Sequence, residues 1–104
     1  MPAYVSSHWD EGDITFLWEV ADDGWISRSV ELTGPNLIPT AATKLDEVIE
    51  ARDIGGLSAV QAIERHYGVA PEKPIVDWSF PHEVITSDQF DRAWVKARSG
   101  LSPV

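Results

Sequence analysis

Apolar and polar residues alternate through the first third of the chain. Tyr4–Trp9 (YVSSHW) reads as a first strand, and Asp10-Glu11-Gly12-Asp13 as a polar turn after it. Asp13–Leu32 then runs D, ITFLWEV, ADDG, WISRSVEL. Both arms are rich in β-branched and aromatic residues, which suit a half-buried pleated surface. Asp22-Asp23-Gly24 between them is a turn signal, so this stretch predicts a β-hairpin.

Two registers compete. A two-residue Asp23-Gly24 loop sets Glu19 opposite Arg28 and Leu17 opposite Val30. A three-residue loop, with Gly24 as its left-handed residue, sets Val20 opposite Ile26, Trp18 opposite Arg28, Phe16 opposite Val30 and Ile14 opposite Leu32. The second gathers Ile14, Phe16, Trp18, Val20, Ile26, Val30 and Leu32 on one face, and is the expected one because a slip of one residue scatters that set. It points Leu17 and Trp25 away from the core. It also places Arg28 on the apolar face beside Trp18, where a guanidinium requires an aromatic ring and a carboxylate as neighbours.

Thr33-Gly34-Pro35-Asn36 is a second turn, and Leu37–Thr40 a short edge strand, since Pro39 cannot donate to an interior ladder. The period then becomes helical. Thr43 is the expected N-cap of a helix over Lys44–Asp53, with Leu45, Val48 and Ile49 on one face. Gly55-Gly56 ends it. Ser58 and Gln61 form a capping box for a second helix with a Leu57, Val60, Ile63, Tyr67 stripe, stopped at Gly68. Residues 69–81 carry three prolines and connect loosely, with a short strand at Ile75–Trp78. Thr86 and Gln89 form another capping box, Ile85 and Phe90 a hydrophobic staple, and Phe90, Ala93, Trp94 and Ala97 a buried face. Gly100 closes this helix, and Leu101–Val104 frays. Strands followed by helices predict an α+β domain spanning 1–104: an antiparallel sheet of three to four strands around the central hairpin 13–32, with two to three helices packed on one face.

Charge adds to this picture. The net charge is -9. Up to Thr40 there are seven acids and a single base, Arg28, so the acidity belongs mainly to the sheet. That argues against nucleic acid as a partner and is compatible with a basic protein, the plain alternative being that the charge serves solubility. There is no cysteine, hence no disulfide or thiol chemistry. Met1-Pro2-Ala3-Tyr4 does not read as a secretory leader, and no apolar run reaches membrane-spanning length, so a cytoplasmic chain with no membrane partner is expected.

Candidate chemistry is sparse. His8, His66 and His82 lack the i, i+4 spacing of a helical zinc site. Ser7 and His8 are adjacent strand residues and face opposite ways. Ser6 and His8 share a face, but no oxyanion-hole feature accompanies them. No glycine-rich phosphate loop is present, so neither metal nor cofactor is expected. Five tryptophans are many for 104 residues. Trp18 and Trp94 fit core periodicity, whereas Trp25 points away from the core and belongs either to a binding surface or under a second layer that covers it.

Trp18-Glu19-Val20, the acidic turn and Arg28-Ser29-Val30-Glu31 resemble an uncharacterised family of small bacterial α+β domains. The end of the chain, Ile85-Thr86, Gln89-Phe90 and Trp94, is similar to that of several bacterial immunity proteins, which neutralise toxins. The resemblance implies a bacterial cytoplasmic domain with a protein-binding role, and it assigns no site residues.

The expected function is therefore a small, acidic, non-enzymatic protein-binding module, an immunity-type inhibitor of a basic toxin. Its contact surface would be built from Asp10, Glu11, Asp13, Asp22, Asp23 and Trp25, with charge steering followed by aromatic anchoring. The alternative is a small-molecule pocket or small enzyme between sheet and helices, using Arg28 and a histidine. In that reading Arg28 binds an anionic ligand; otherwise it fixes helix on sheet. A third reading is a structural subunit of a larger assembly.

Overall fold

The computed structural model describes residues 1–101. Strands β1 (Ala3–Trp9), β2 (Ile14–Val20), β3 (Ile26–Thr33) and β4 (Ile38–Lys44) form an antiparallel meander. Helix α1 (Leu45–Tyr67), the two-residue strand β5 (Glu83–Val84) and helix α2 (Ser87–Leu101) follow. The sheet order is β4-β3-β2-β1-β5. The α+β class and the central hairpin hold; among the described residues there are two helices, and five strands instead of the expected three to four.

The hairpin combines both expected registers. At the turn, the Ala21 amide donates to the Trp25 carbonyl (2.8 Å) and the Gly24 amide to that of Ala21 (2.9 Å). Gly24 sits at φ 89°, so the three-residue loop forms and Val20 faces Ile26. A β-bulge at Ser27 then slips the ladder by one. Beyond it Glu19 faces Arg28, Leu17 faces Val30 and Phe16 faces Glu31. The pairings of Trp18 with Arg28, Phe16 with Val30 and Ile14 with Leu32 are corrected accordingly. A bulge re-aims the side chains that follow it. Ile26 joins Val5 and Val20 on one face, while Val30 and Leu32 join Leu17 on the other. Leu17 is thus part of the core and does not point away from it.

The sheet is consequently apolar on both faces. Helix α2 covers the Val30 face with Phe90, Trp94 and Ala97, against Tyr4, Leu17, Leu32 and Ala42. The opposite face holds Val5, Val20, Ile26 and Trp18, packed by Ile75 from the proline-rich connection. Phe80 extends this covering, 5.9 Å from Trp18, and stacks on Trp78. The chain just after α1 returns to this face, because a Cβ on Gly68 would lie 2.7 Å from that of Ala41. The expectation of covering on one face alone is corrected.

Several local expectations also change. β4 runs to Lys44, so Thr43 is a buried strand residue, and the α1 N-cap is Lys44 without a side-chain cap. The glycine break is real: Gly56 has φ 66° and ψ −156° inside α1. Ser58 donates back to the Gly55 carbonyl at 3.4 Å. Leu57 is exposed and lies outside the core stripe. Ile75–Trp78 forms no strand; its ladder contact is an isolated Trp25–Pro74 bridge. The Thr86–Gln89 capping box is present, with bonds of 2.8 and 3.0 Å. Helix α2 passes through Gly100 to Leu101. The expected fraying beyond Leu101 lies outside the described residues. Among the described residues, no helix is long and apolar enough to cross a membrane.

Candidate functional site

The meander separates the two acidic turns. Asp10–Asp13 joins β1 to β2, and Asp22–Gly24 joins β2 to β3. They lie at opposite ends of β2, which at about 3.3 Å per residue sets them roughly 20 Å apart. The structure brings Asp22, Asp23 and Trp25 together, and Asp10, Glu11 and Asp13 together. It does not bring the two groups together into one contact surface.

At the β2–β3 end, Asp23 Oδ1 accepts the Trp25 amide at 3.1 Å. The turn is pinned from behind, since the Ile75 amide donates to the Gly24 carbonyl at 2.7 Å. A Cβ on Gly24 would sit 2.7 Å from the Ile75 carbonyl oxygen, so glycine is required there by both its φ and this approach. Trp25 is thereby held on a rigid turn with 37% of its surface exposed. It lines a groove of about 370 Å³ with Leu45 and Ile49, bordered by Asp23 and Asp46. Ile49, predicted for the core stripe, is 43% exposed here. Asp46 lies in the first turn of α1, where the helix dipole favours a carboxylate. On the other side of the turn, Asp22 and Asp23 border a second hollow with Ile75 and Trp78. The Met1 ammonium reaches Asp22 at 2.8 and 2.9 Å.

Arg28 does not belong to that groove. It donates to Glu19 (2.9 and 2.7 Å) and to Asp91 of α2 (2.9 Å). Its guanidinium lies 4.9 Å from the Phe90 ring centre and 5.3 Å from that of Trp94. The stacking on Trp18 is corrected, because the bulge moves Arg28 to the face opposite Trp18. Bonding to Arg28 holds the Glu19 carboxyl at about 2, against the opposing effect of burial. Burial, and then the bond to Glu19, push the Tyr4 hydroxyl upward. Arg28 thus fastens α2 to the sheet.

At the far end, a cleft of about 610 Å³ runs between His8, Thr15 and Ser6 on one side and His82 and Glu83 on the other. His8 Nδ1 meets the Thr15 hydroxyl at 3.0 Å. Its Nε2 lies 3.3 Å from Asp13 and 3.5 Å from Asp10. His82 Nδ1 lies 2.8 Å from the Phe80 carbonyl and donates to it. Ser7 faces the other way, as expected, and donates to the Pro81 carbonyl. His8 and Arg28 stand on separate parts of the sheet, so the pairing of Arg28 with a histidine in one pocket is not formed. Among the described residues, no group of three or more His, Asp or Glu side chains could hold a metal ion.

Sequence reasoning missed Asp46, Leu45 and Ile49 as neighbours of Trp25. The only signal was that α1 starts directly after β4, which depends on how far the edge strand extends. Compared with protein-family models, curated proteins and solved structures, the chain matches none.

Proposed function

We propose that this chain is a small, acidic, non-enzymatic module that binds a basic protein, in the manner of an immunity protein held against a toxin. The observation that carries the reading is Trp25. It is an exposed indole presented on a pinned turn beside Ile49, with Asp23 and Asp46 bordering the groove and Asp22 on the other side of the turn. Tryptophan on a fixed scaffold is a typical anchor of protein interfaces. The surrounding carboxylates and the net charge of -9 steer a basic partner toward it. Charge reversal at Asp22, Asp23 and Asp46 is expected to slow association and flatten its salt dependence, whereas reversal at Asp10, at the other end of β2, acts only through overall charge. Equal effects from both ends would contradict the reading.

The histidine cleft supports a second reading, a small-molecule site that uses His8 and His82 without Arg28. Native mass spectrometry showing a co-purified small mass would favour it.

A further inference from the structure

On the sheet face turned away from α2, Glu31 lies in a row between Phe16 and Ala41. Phe16 stacks on Trp18, with ring centres 5.5 Å apart. The next row toward the β1–β2 turn is Trp9, Ile14, Thr33 and Ile38. Trp9 is 49% and Ile38 59% exposed, and Ile14 and Phe16 are half-buried. This end of the face is therefore apolar, open and furnished with one carboxylate. Burial pushes that carboxyl upward, with no basic group opposing the effect. Among the described residues, no hydrogen bond or ion pair engages the Glu31 carboxylate.

The same chain shows twice what completes such a group. Arg28 pairs with Glu19 and lies over Phe90. Arg98 pairs with Glu47 and lies over Tyr67 at 3.8 Å and Trp94 at 4.4 Å. Each unit is a carboxylate, an aromatic ring and an arginine whose charge satisfies the first and whose plane stacks on the second. Glu31 with Phe16 and Trp18 supplies the first two parts only.

We infer that the Trp9–Phe16–Glu31–Ile38 face docks an extended segment of a basic partner, whose arginine lies over Phe16 and pairs with Glu31 while flanking apolar residues cover Trp9 and Ile38. A second copy of this chain fits poorly, since it would bring another Glu31 to the contact and a further net charge of -9. The inference is independent of the Trp25 groove, which lies at the other end of β2 and β3.

The test is an NMR titration of the full chain with an acetylated, amidated Leu-Arg-Leu tripeptide and with its glutamine counterpart. The arginine peptide should shift resonances of Trp9, Phe16 and Glu31. It should bind about tenfold more tightly than the glutamine peptide, as expected for one charge-assisted contact, and lose that advantage on Glu31→Gln. Trp25→Ala should leave all of this unchanged. Equal binding of the two peptides, shifts confined to the Trp25 end, no shifts, or a dimer that covers this face would overturn the inference. Comparing the two peptides on the native chain needs no variant to fold.

Discussion

Arg28 and Asp91 form a 2.9 Å ion pair that ties the third strand to the last helix. The pair is the outer half of a chain of contacts, Asp91–Arg28–Glu19–Tyr4, that crosses from α2 through β3 and β2 to β1. Arg28 has only 19% of its side chain exposed, against 57% for Asp91. The two ends of this pair should therefore differ in weight.

Arg28→Ala strips Glu19 of its cation in a largely buried setting, and should cost about 3 kcal/mol, the lower end for breaking a buried pair. Asp91→Ala removes an exposed partner and should cost no more than about 1 kcal/mol. Urea unfolding of the two variants checks the order. Near-equal losses would show that the helix contact, and not Glu19, is what Arg28 serves.

Acid should weaken the fold through Glu19. Its folded pKa of about 2 lies below the ordinary 4.5 because Arg28 bonds to it. A depressed carboxyl stabilises the fold above its unfolded pKa, and the contribution fades as pH falls from about 4.5 to 2. The amount is about 2 kcal/mol, discounted for partial exposure. Glu31 acts in the opposite sense, because burial raises its carboxyl and its protonation favours the fold. Unfolding curves at pH 7, 4 and 2.5 should show the loss in the native chain and a much smaller one in Glu19→Gln.

Thr43 is 2% exposed, and its hydroxyl has no partner among the described residues. Replacing it with valine keeps the shape and removes a polar atom that lost its water on folding. Thr43→Val should raise stability by about 1 kcal/mol. A loss on thermal melting would mean that the hydroxyl is engaged in solution.

Two glycines should respond with opposite signs. Gly68 has φ 89° and abuts Ala41, so Gly68→Ala should cost about 2 kcal/mol through strain and crowding. Gly100 is helical and faces open space. Gly100→Ala should gain about 0.5 kcal/mol or more. Calorimetry of both variants compares them directly.

The three-residue turn, the Thr86 capping box and the α2 core face were all legible because each depends on neighbours in sequence. The bulge at Ser27 was not. Its energetic basis is a tertiary one, since the Ser27 hydroxyl bonds to both the Glu19 carbonyl and its carboxylate. That single inserted residue redistributes Arg28, Val30 and Leu32 between faces, and so misdirected the reading of Leu17 and Trp18. Thr43 looked like a cap because it precedes a helical period, but the buried run Ala41-Ala42-Thr43 continues the edge strand. At the candidate site Trp25 was legible as an indole with no place in the core. Its partners Asp46 and Ile49 were not, because helix and turn meet only once β4 has brought α1 back beside β3.

The most direct test of the binding reading is affinity capture from lysate of the source organism, using the native chain and the double variant Trp25→Ala, Asp23→Lys in parallel at low and high salt. The account predicts one stoichiometric basic protein on the native chain, released at high salt and missing from the double variant. Capture of the same proteins in the same amounts by both chains would contradict it.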